Sequence, residues 1–487
     1  MKDSTTTVFK QSSIYGLGNI IRKFSGVIIL PLVKVYTSED EFGVWMLLET
    51  IFMFTLVLSG WGVKSGFVRW YNDMKSPADK RSLFTSATAF NYLVSVLISA
   101  IIGVLLYRYS AAILKYEVSA KLILLFMAAG LFRLFHDMPF YILRLQQKVA
   151  KQTVHSSVNV ILLILFTIYF LEIRRLGFEG VFMAQLAANL LTFIGLLPII
   201  KRNTSPDFKA GELKDIIHYG LPLALSNLLT IVLNLSDRHI INQFFNPAES
   251  GNYGLAFKVA NLLEMVFVSS FITSFTYFYY QSFKNPDSNK DFLRLQRYFV
   301  LIIATAGMGI VLFSGEIIWL VSAGDAYYQE GIFLIPILIM GLIFGGLRQF
   351  FTLPLHKHKS TKIISRILIA AGLINLTLNL VLVPTIGKAG AAWSTLAVQF
   401  ISMMWFYYEA NKKEAIHFNF KQTIKLLSIW LIIMTAGFYV PDNFWLAICL
   451  KALLMAVFVI SIIAFRIIQA DELNEVIRMG KKLLSKK

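Results

Sequence analysis

Positively charged side chains lie inside long apolar stretches of this chain, where a charge is costly. Arg22 sits near the middle of residues 13–36. A cation at that depth in a bilayer costs roughly 2.5 kcal/mol or more unless it faces water or a partner. On a 3.6-residue helix Arg22 shares a stripe with Asn19, Gly18 and Gly26, whereas the opposite face carries Ile, Leu and Val. The pattern predicts a membrane helix with one wetted face that accepts an anionic group.

A second polar stripe runs along residues 216–241. Asn227, Asn234 and Arg238 follow one another at helical spacing. An Arg side chain keeps its charge and binds anionic oxygens through a planar fork, and amides suit hydroxyl groups. Three further cations lie in apolar stretches and join the candidate binding residues: Lys258, Arg348 and Arg133. We predict that these side chains line a shared polar cavity.

Three of these cations also have a purely structural interpretation. Arg133 and Asp137 are four residues apart, the spacing of an intrahelical ion pair. Arg238 is near the outer end of its stretch, so its long side chain could reach the interface. Lys258 could pair with Glu264 or reach outward in the same way. The spacing alone leaves both interpretations open.

Acidic residues are few in the apolar stretches, and they are candidates for coupling to H⁺ or Na⁺. Nothing in their spacing singles one out, and the membrane potential alone is another possible driving force. The candidates are Glu49, Asp137, Asp237 and Glu264. The single Cys449 excludes an internal disulfide and a cysteine-based metal site. We therefore expect no cofactor and no metal site.

The composition indicates which elements must position these residues. The chain has 487 residues, of which 56% are hydrophobic and 15% charged, with a mean hydropathy of +0.64. A soluble domain carries nearer a quarter charged residues, so the composition indicates an all-α polytopic membrane protein. About 20 apolar residues cross a bilayer as a helix. We predict fourteen spans: 13–36, 42–63, 83–107, 119–142, 153–172, 179–200, 216–241, 251–280, 295–320, 330–352, 364–384, 389–409, 422–440 and 444–465.

Lys and Arg in the short loops predict the orientation. With both termini in the cytoplasm, the outer loops hold only five of the 46 Lys and Arg residues, and most of the others fall in inner loops and tails. The first outer loop, Ser38 to Glu41, is acidic. The net charge of +18 is therefore explained mainly by topology, and no nucleic-acid partner is expected.

Four motifs recur at nearly one offset, which predicts an internal repeat. TSEDEFGVW is matched by NPAESGNYG, so that Phe42 corresponds to Tyr253 at an offset of 211. Tyr116 and Tyr327, and Phe140 and Phe351, repeat that offset, and LGFEG is matched by IGKAG at an offset of 210. We predict two six-helix lobes of the same orientation, residues 1–203 and 204–415, followed by two further spans and a cytoplasmic tail in 416–487. Parallel repeats of this kind are typical of transporters, whose substrates bind between the halves.

The same motifs resemble a known family. The acidic turn into Phe42-Gly43, the basic loop with Leu145-Gln146 and the segment VSAGDAYYQE look like the polysaccharide transporter branch of the multidrug/oligosaccharidyl-lipid/polysaccharide (MOP) exporter superfamily. The similarity covers roughly residues 8–410 and lies in the order and spacing of loose motifs. The members it most resembles are O-antigen flippases.

The resemblance implies a function. It implies a V-shaped, two-lobed cavity and a flippase that moves undecaprenyl-pyrophosphate-linked oligosaccharide units by alternating access. Arg22, Arg238, Lys258, Arg348 and Arg133 would then neutralise the pyrophosphate, and Asn19, Asn227 and Asn234 would suit sugar hydroxyls. It also implies a place in the bacterial inner membrane. The expected partners are the lipid-linked glycan, the bilayer and the polysaccharide polymerase machinery.

Other functions stay open at this point. Two spans beyond twelve are similar to the pattern of lipid II flippases. A cation-coupled multidrug exporter of the same superfamily would need acids in its cavity, whereas cations predominate here. A non-transporting membrane scaffold is a third class. An enzyme is not expected, because no loop offers a catalytic acid cluster or an extramembrane domain.

Overall fold

The computed structural model describes residues 26–282, 288–358, 360–414, 418–441, 443–465 and 467. All regular secondary structure in these ranges is helical, and ten of the helices there are long and apolar enough to cross a membrane. This confirms the prediction of an all-α polytopic membrane protein. The count of fourteen spans and the cytoplasmic position of both termini stay predictions.

The helices follow the predicted spans, with several bends inside them. In chain order they are α1 (Gly26–Val35), α2 (Glu39–Gly60), α3 (Val63–Asp73), α4 (Pro77–Leu114), α5 (Ala120–Phe135), α6 (Asp137–Leu145), α7 (Val149–Ile168), α8 (Gly177–Asn203), α9 (Ala210–Phe244), α10 (Pro247–Ala260), α11 (Ser269–Ser282), α12 (Ser288–Leu312), α13 (Ser314–Val321), α14 (Leu334–Lys357), α15 (Thr361–Ile386), α16 (Lys388–Asn411), α17 (Phe420–Gly437) and α18 (Phe444–Ala464). Two π-helical turns, Tyr169–Ile173 and Glu264–Val268, and a 3₁₀ helix, Ala326–Phe333, complete the regular structure of the described ranges.

Local chemistry explains where the first helices begin and end. Ser38 and Glu41 form a capping box at the start of α2, with reciprocal hydrogen bonds of 3.2 and 2.9 Å between side chain and backbone. The acidic turn predicted as an outer loop is therefore a helix N-terminus. At the other end Trp61 and Gly62 have φ values of +40° and +70° and separate α2 from α3. The second predicted span thus continues into a further, bent helix.

The described residues cluster into two compact units. Unit 1 holds those up to Leu255 together with Trp319–Tyr328 and Leu368–Ser394. Unit 2 holds Ala256–Ile318 and Gln329–Ile367 together with the described residues from Thr395 onward. The units are defined by proximity in space, whereas the lobes 1–203 and 204–415 were inferred from repetition along the chain. The lobe boundaries stay a prediction.

Unit 1 is held together by close helix crossings at glycine. A Cβ on Gly43 of α2 would lie 1.8 Å from the carbonyl oxygen of Pro247 in α10. A Cβ on Gly62 would lie 1.8 Å from the carbonyl oxygen of Gly220 in α9. The backbones therefore approach closely at positions where a glycine leaves room, on one side of the first contact and on both sides of the second. The first crossing joins the two acidic motifs that the repeat analysis paired.

Unit 2 packs around α12 and α14. Phe299 and Phe350 lie 4.7 Å apart by ring centroid, and Phe275 lies 4.3 Å from Phe350. Trp430 of α17 is fully buried, and its Nε1 donates a hydrogen bond of 3.2 Å to the carbonyl oxygen of Ala304 in α12. Helix α17 is therefore anchored to α12.

Candidate functional site

The predicted site residues are distributed over both units and beyond them. Arg22 and Asn19 lie outside the described residues, as does the side chain of Asn234, whose backbone is in α9. Unit 1 contains Asn227, Arg238, Arg133, Glu49, Asp137 and Asp237. Unit 2 contains Lys258, Arg348 and Glu264. The proposal that they form one binding surface stays a prediction.

Arg238 is enclosed by protein within unit 1. Its residue is only 5% exposed, and Nη1 lies 3.5 Å from the hydroxyl oxygen of Thr50 in α2. Glu49 is an electrostatic neighbour of the guanidinium, as is the adjacent Asp237. The Ser250 hydroxyl donates to the carbonyl oxygen of Arg238 at 3.0 Å. Arg238 thus lies where α2, α9 and α10 meet rather than in an extended, interfacial position.

Asp237, the neighbour of Arg238, is the centre of a buried polar cluster. Its carboxylate accepts hydrogen bonds from the Tyr253 hydroxyl at 2.7 Å and from Nδ2 of Asn379 at 2.8 Å. The same Nδ2 donates to Oδ1 of Asn375 at 3.0 Å. All four residues are at most 1% exposed. We name Asp237, Tyr253, Asn375 and Asn379 the Asp237 cluster.

The Asp237 cluster has the chemistry of a site for a proton or a monovalent cation. Among the described residues, no hydrogen-bond partner contacts Oδ1 of Asn379 or Nδ2 of Asn375. Its hydrogen-bonding groups are neutral apart from the carboxylate, which can take up a proton or, with amide oxygens turned toward it, hold a small cation. The described ranges contain no group of three or more His, Cys, Asp or Glu that could hold a metal ion. Sequence reasoning found Asp237 but missed its amide partners, although Asn375 and Asn379 stand four residues apart in an apolar segment.

A second acidic centre in unit 1 is Asp137. It pairs with Nζ of Lys64 in a short contact, and Nη1 of Arg133 lies 3.9 Å from its other oxygen. Arg133 and Asp137 therefore form the ion pair that their spacing allowed, although the two residues lie on either side of the break between α5 and α6. Lys64, which the sequence analysis did not select, is the nearer partner. Next to it His136 contacts the carbonyl oxygen of Asn189 at 2.8 Å.

The candidate cations of unit 2 are half-buried. Nη1 of Arg348 lies 3.4 Å from the hydroxyl oxygen of Ser402, and Glu264 is an electrostatic neighbour. Glu264 begins a π-helical turn, a local widening often found at functional sites. Lys258 lies near the end of α10 and is also half-buried. These side chains are therefore only partly enclosed by the protein.

Two ion pairs near the predicted outer ends of the helices were not expected. Lys34 pairs with Asp325 at 2.8 Å, and Lys388 pairs with Glu249 at 3.1 Å. The Tyr327 hydroxyl contacts Oε1 of Glu249 at 3.1 Å. The members of each pair are far apart in sequence, so no local spacing could have revealed them. We name Lys34, Asp325, Lys388, Glu249 and Tyr327 the outer cluster.

Lys209 is a cationic side chain in a loop, outside the predicted membrane-spanning segments. Lys209 precedes α9 and lies 2.8 Å from a carboxylate oxygen of Asp79 at the start of α4. That hydrogen bond raises the pKa of the Lys209 ammonium, with a further contribution from Glu212. The contact joins the beginnings of α4 and α9 on the predicted cytoplasmic side. Lys209 is therefore not a candidate for the predicted binding cavity.

Comparison with solved structures places the helices in a known fold. A lipid II flippase, MurJ, in an inward closed conformation is 17% identical, with a TM-score of 0.76 over 93% of this chain and 98% of that chain. An inward-facing multidrug resistance MATE family transporter of the MOP superfamily is 14% identical, with a TM-score of 0.65 over 82% of this chain and 97% of that chain. An outward-facing structure of the same transporter family has a TM-score of 0.54 at 16% identity, over 83% of this chain and 94% of that chain. At these identities the likeness shows the fold alone.

Comparison by sequence gives the family. No curated protein matches the chain closely enough to count as a relative. Residues 37–329 match the model of the family described as polysaccharide biosynthesis protein. The match covers more than half of the chain, and the MOP-superfamily fold agrees with it. The chain therefore belongs to the polysaccharide biosynthesis protein family and is built on the fold of MOP-superfamily transporters.

Proposed function

We propose that the protein is a flippase that moves undecaprenyl-pyrophosphate-linked oligosaccharide units across the bacterial inner membrane. The observation that carries this proposal is the family match over residues 37–329, which points to polysaccharide biosynthesis in a chain with a transporter fold. A lipid-linked glycan is the form in which such a polytopic protein would meet a polysaccharide precursor. The polysaccharide polymerase machinery would then be a partner on the outer side.

The cationic residues give the proposal its chemistry. Nη1 of Arg348 approaches the Ser402 hydroxyl at 3.4 Å, a long, weak contact. Phosphate oxygens make shorter, charge-assisted hydrogen bonds to an Arg fork, so a pyrophosphate would displace that hydroxyl readily. Arg238, which has Glu49 and Asp237 as electrostatic neighbours, is proposed to contribute positive charge when the site opens. Lys258, Arg133 and Arg22 are proposed to add positive charge during alternating access, and Asn19, Asn227 and Asn234 to contact sugars.

Coupling is proposed to use Asp237 rather than Glu49, Asp137 or Glu264. Asp137 is held by two cations, Lys64 and Arg133, whereas Asp237 accepts hydrogen bonds from the neutral groups of Tyr253 and Asn379 and has Arg238 as an electrostatic neighbour. Beside Asp237, Oδ1 of Asn379 has no hydrogen-bond partner among the described residues, so it is available to join the carboxylate in holding a small cation. Because Arg238 is next to Asp237 in sequence, binding of H⁺ or Na⁺ at Asp237 would change the electrostatic environment of a proposed cargo residue.

Two related functions have specific support. The structural match to a lipid II flippase covers nearly the whole chain, which favours a peptidoglycan precursor as an alternative cargo. The matches to multidrug MATE transporters favour a cation-coupled exporter of organic cations. An exporter of organic cations requires acidic side chains in its cavity. The candidate residues of the described helices include the arginines Arg238 and Arg348, which disfavours this alternative.

The three functions are separated by complementation. We expect the wild-type chain to restore polysaccharide display in a bacterial strain that lacks its oligosaccharide flippase. Arg22→Ala and Arg238→Ala should abolish that rescue, and Arg22→Lys should retain part of it. Rescue of a lipid II flippase deletion instead would favour the first alternative, and raised resistance to cationic dyes without polysaccharide rescue would favour the second. Full rescue by both Ala variants would refute the assigned cargo residues.

A further inference from the structure

Several helix ends of unit 1 meet at one place, although they come from both predicted lobes. They lie in or next to segments between predicted spans on the outer side, namely residues 37–41, 108–118, 242–250, 321–328 and 385–388. All these segments belong to unit 1, so their contacts lie within one compact body. The outer ends of residues 1–203 and 204–415 are therefore joined here.

An ion pair crosses between the two predicted lobes at this place. Nζ of Lys34 in α1 lies 2.8 Å from Oδ2 of Asp325, and it lies 5.3 Å from the centroid of the Tyr328 ring. The side chain of Lys34 is only 8% exposed, whereas that of Asp325 is 28% exposed. Asp325 therefore neutralises an ammonium group that has little access to water. Loss of Asp325 would leave that ammonium poorly solvated.

The C-terminal ends of α4 and α9 are joined by hydrogen bonds to backbone carbonyl groups. Nδ2 of Asn242 in α9 donates to the carbonyl oxygen of Ile113 in α4 at 3.1 Å. In the opposite direction, Nζ of Lys115 donates to the carbonyl oxygen of Phe245 at 3.1 Å. The last carbonyl groups of a helix have no partner inside it. Each helix end therefore supplies a donor to the other, across the two predicted lobes.

The beginning of α2 contacts the beginning of α10 in the same region. Oδ1 of Asp40 accepts a hydrogen bond of 3.3 Å from the backbone N–H of Ala248. The rings of Phe42 and Tyr328 lie 5.3 Å apart by centroid, in an edge-on arrangement. The close crossing at Gly43 directly follows Phe42. These contacts share Tyr328 with the ion pair, so they form one continuous group with it.

Three buried polar atoms of these helix ends are unpaired. They are Oδ1 of Asn242, Oδ1 of Asn252 and the hydroxyl oxygen of Tyr328, none of which has a hydrogen-bond partner among the described residues. The three residues are at most 1% exposed. Such atoms cost free energy because they have lost their bonds to water. Separation of the helix ends would return them to water, so the closed arrangement is less stable than a fully paired one.

We propose that these contacts form a seal that opens on the outer side during transport, with the Lys34–Asp325 pair as its latch. We name Lys34, Asp325, Tyr328, Asn242 and Asn252 the outer seal. In the closed state the latch offsets the unpaired polar atoms, and in the open state water hydrates both those atoms and the separated charges. The proposal rests on alternating access, which is part of the proposed function, but not on the identity of the cargo.

The first test is the accessibility of a buried thiol from the outer side. The only cysteine, Cys449, is replaced by Ser, and Ala248→Cys then places one thiol at an 8% exposed position at the beginning of α10. A membrane-impermeant maleimide added to right-side-out membrane vesicles should label this thiol slowly. Lys34→Ala and Asp325→Asn should each raise the labelling rate about tenfold, because the attraction that they remove exists only in the closed state.

Matched variants separate the latch from a general loss of packing. Lys121→Ala breaks the exposed pair with Glu179 and should leave the labelling rate unchanged. Lys34→Asp combined with Asp325→Lys should restore slow labelling, because opposite charges face each other again. Asp325→Asn keeps the shape of the side chain, so it reports on the charge even if Lys34→Ala folds poorly.

The second test asks whether transport requires the seal to open. A short, cleavable bifunctional thiol reagent that links Lys34→Cys to Asp325→Cys should stop flipping in proteoliposomes, and cleavage of the linker should restore it. Each single-cysteine variant should keep its activity in the reagent.

The two tests distinguish a wrong seal from a wrong cargo, because labelling requires no cargo. A wild-type protein that moves no oligosaccharide but shows the expected labelling would refute the cargo and support the seal. Unchanged labelling in both Lys34→Ala and Asp325→Asn, labelling from the cytoplasmic side only, or flipping that persists with the linker in place would each overturn the latch.

Discussion

At the scale of single residues, neighbours in sequence have different environments. Asp237 and Arg238 are adjacent in α9, and both are almost fully buried. Asp237 is surrounded by amide and phenol donors, whereas Arg238 approaches the Thr50 hydroxyl and Glu49. Their side chains diverge by about 100° around the helix, so one residue step separates the proposed coupling group from a proposed cargo group.

The first prediction concerns Asp237. We expect Asp237→Asn to fold, because Asn can still accept the Tyr253 hydroxyl bond, but to abolish the dependence of transport on H⁺ or Na⁺. The measurement is cargo flipping in proteoliposomes with an imposed ion gradient, together with thermal unfolding in detergent. Asp207→Asn, an exposed acid in the loop before α9, is the control and should keep full coupling. Unaltered coupling in Asp237→Asn would rule out this residue.

At the scale of secondary structure, glycine decides how closely helices approach. The Gly43 crossing leaves no room for a methyl group, since Pro247 O would be 1.8 Å away. Trp430 has the complementary role in unit 2, where a large side chain fills the space between α17 and α12. Two predictions follow at this scale, one for each kind of contact.

Gly43→Ala should force α2 and α10 apart. Overpacking of this kind costs about 1–3 kcal/mol in the free energy of unfolding, because the opposing atoms are backbone and cannot rotate away. Thermal unfolding of the detergent-solubilised protein measures the loss. Gly211→Ala is the matched control, since a Cβ there meets nothing within 4 Å. A Gly43→Ala protein as stable as this control would contradict the crossing.

Trp430→Ala should loosen the C-terminal helices. We expect a loss of about 3 kcal/mol, because a cavity remains and the Ala304 carbonyl loses its donor. Trp445→Ala removes the same side chain from a position that is 75% exposed and should change stability by less than about 0.5 kcal/mol. Limited proteolysis of the α17–α18 segment distinguishes the two variants. Equal protection of both would show that Trp430 does not anchor α17.

At the scale of the whole chain, unit 1 draws on segments far apart in sequence. It joins the described residues up to Leu255 with Trp319–Tyr328 and Leu368–Ser394. The outer cluster links these segments through the pairs Lys34–Asp325 and Lys388–Glu249. In each pair the Lys is at most 10% exposed, so the charges are poorly screened by solvent. Removing one partner of such a pair leaves the other charge poorly solvated, which costs more than breaking a surface pair.

The corresponding prediction is a charge exchange. Glu249→Lys or Lys388→Glu alone should lower stability by about 2 kcal/mol or more and reduce complementation, since like charges then face each other in a partly buried position. The double variant should recover most of both properties. Exchanging the more exposed pair Lys121 and Glu179 should have little effect at any step, because surface pairs contribute little. Failure of the double variant to recover would show that the pair does not act as a unit.

Much of the fold could be predicted from the sequence, and less of the site. The long apolar helices follow from local periodicity, and the resemblance to the polysaccharide transporter branch agrees with the family match. The break at Gly62 was not predicted, because the residues on both sides of it favour a helix. The interpretation of Arg133 as an ion-pair partner of Asp137 was available from spacing, whereas the nearer Lys64 is 73 residues from Asp137.

The sequence by itself determined that this chain is a multi-pass membrane protein. The length of the apolar stretches and the distribution of Lys and Arg are local properties of the sequence. In a bilayer such stretches form helices, because a helix satisfies all backbone hydrogen bonds within the stretch. Only the tertiary structure decided which polar groups share an environment. Asp237 meets Asn379 across 142 residues of chain, and Lys34 meets Asp325, because helix packing brings them together and no local spacing records it.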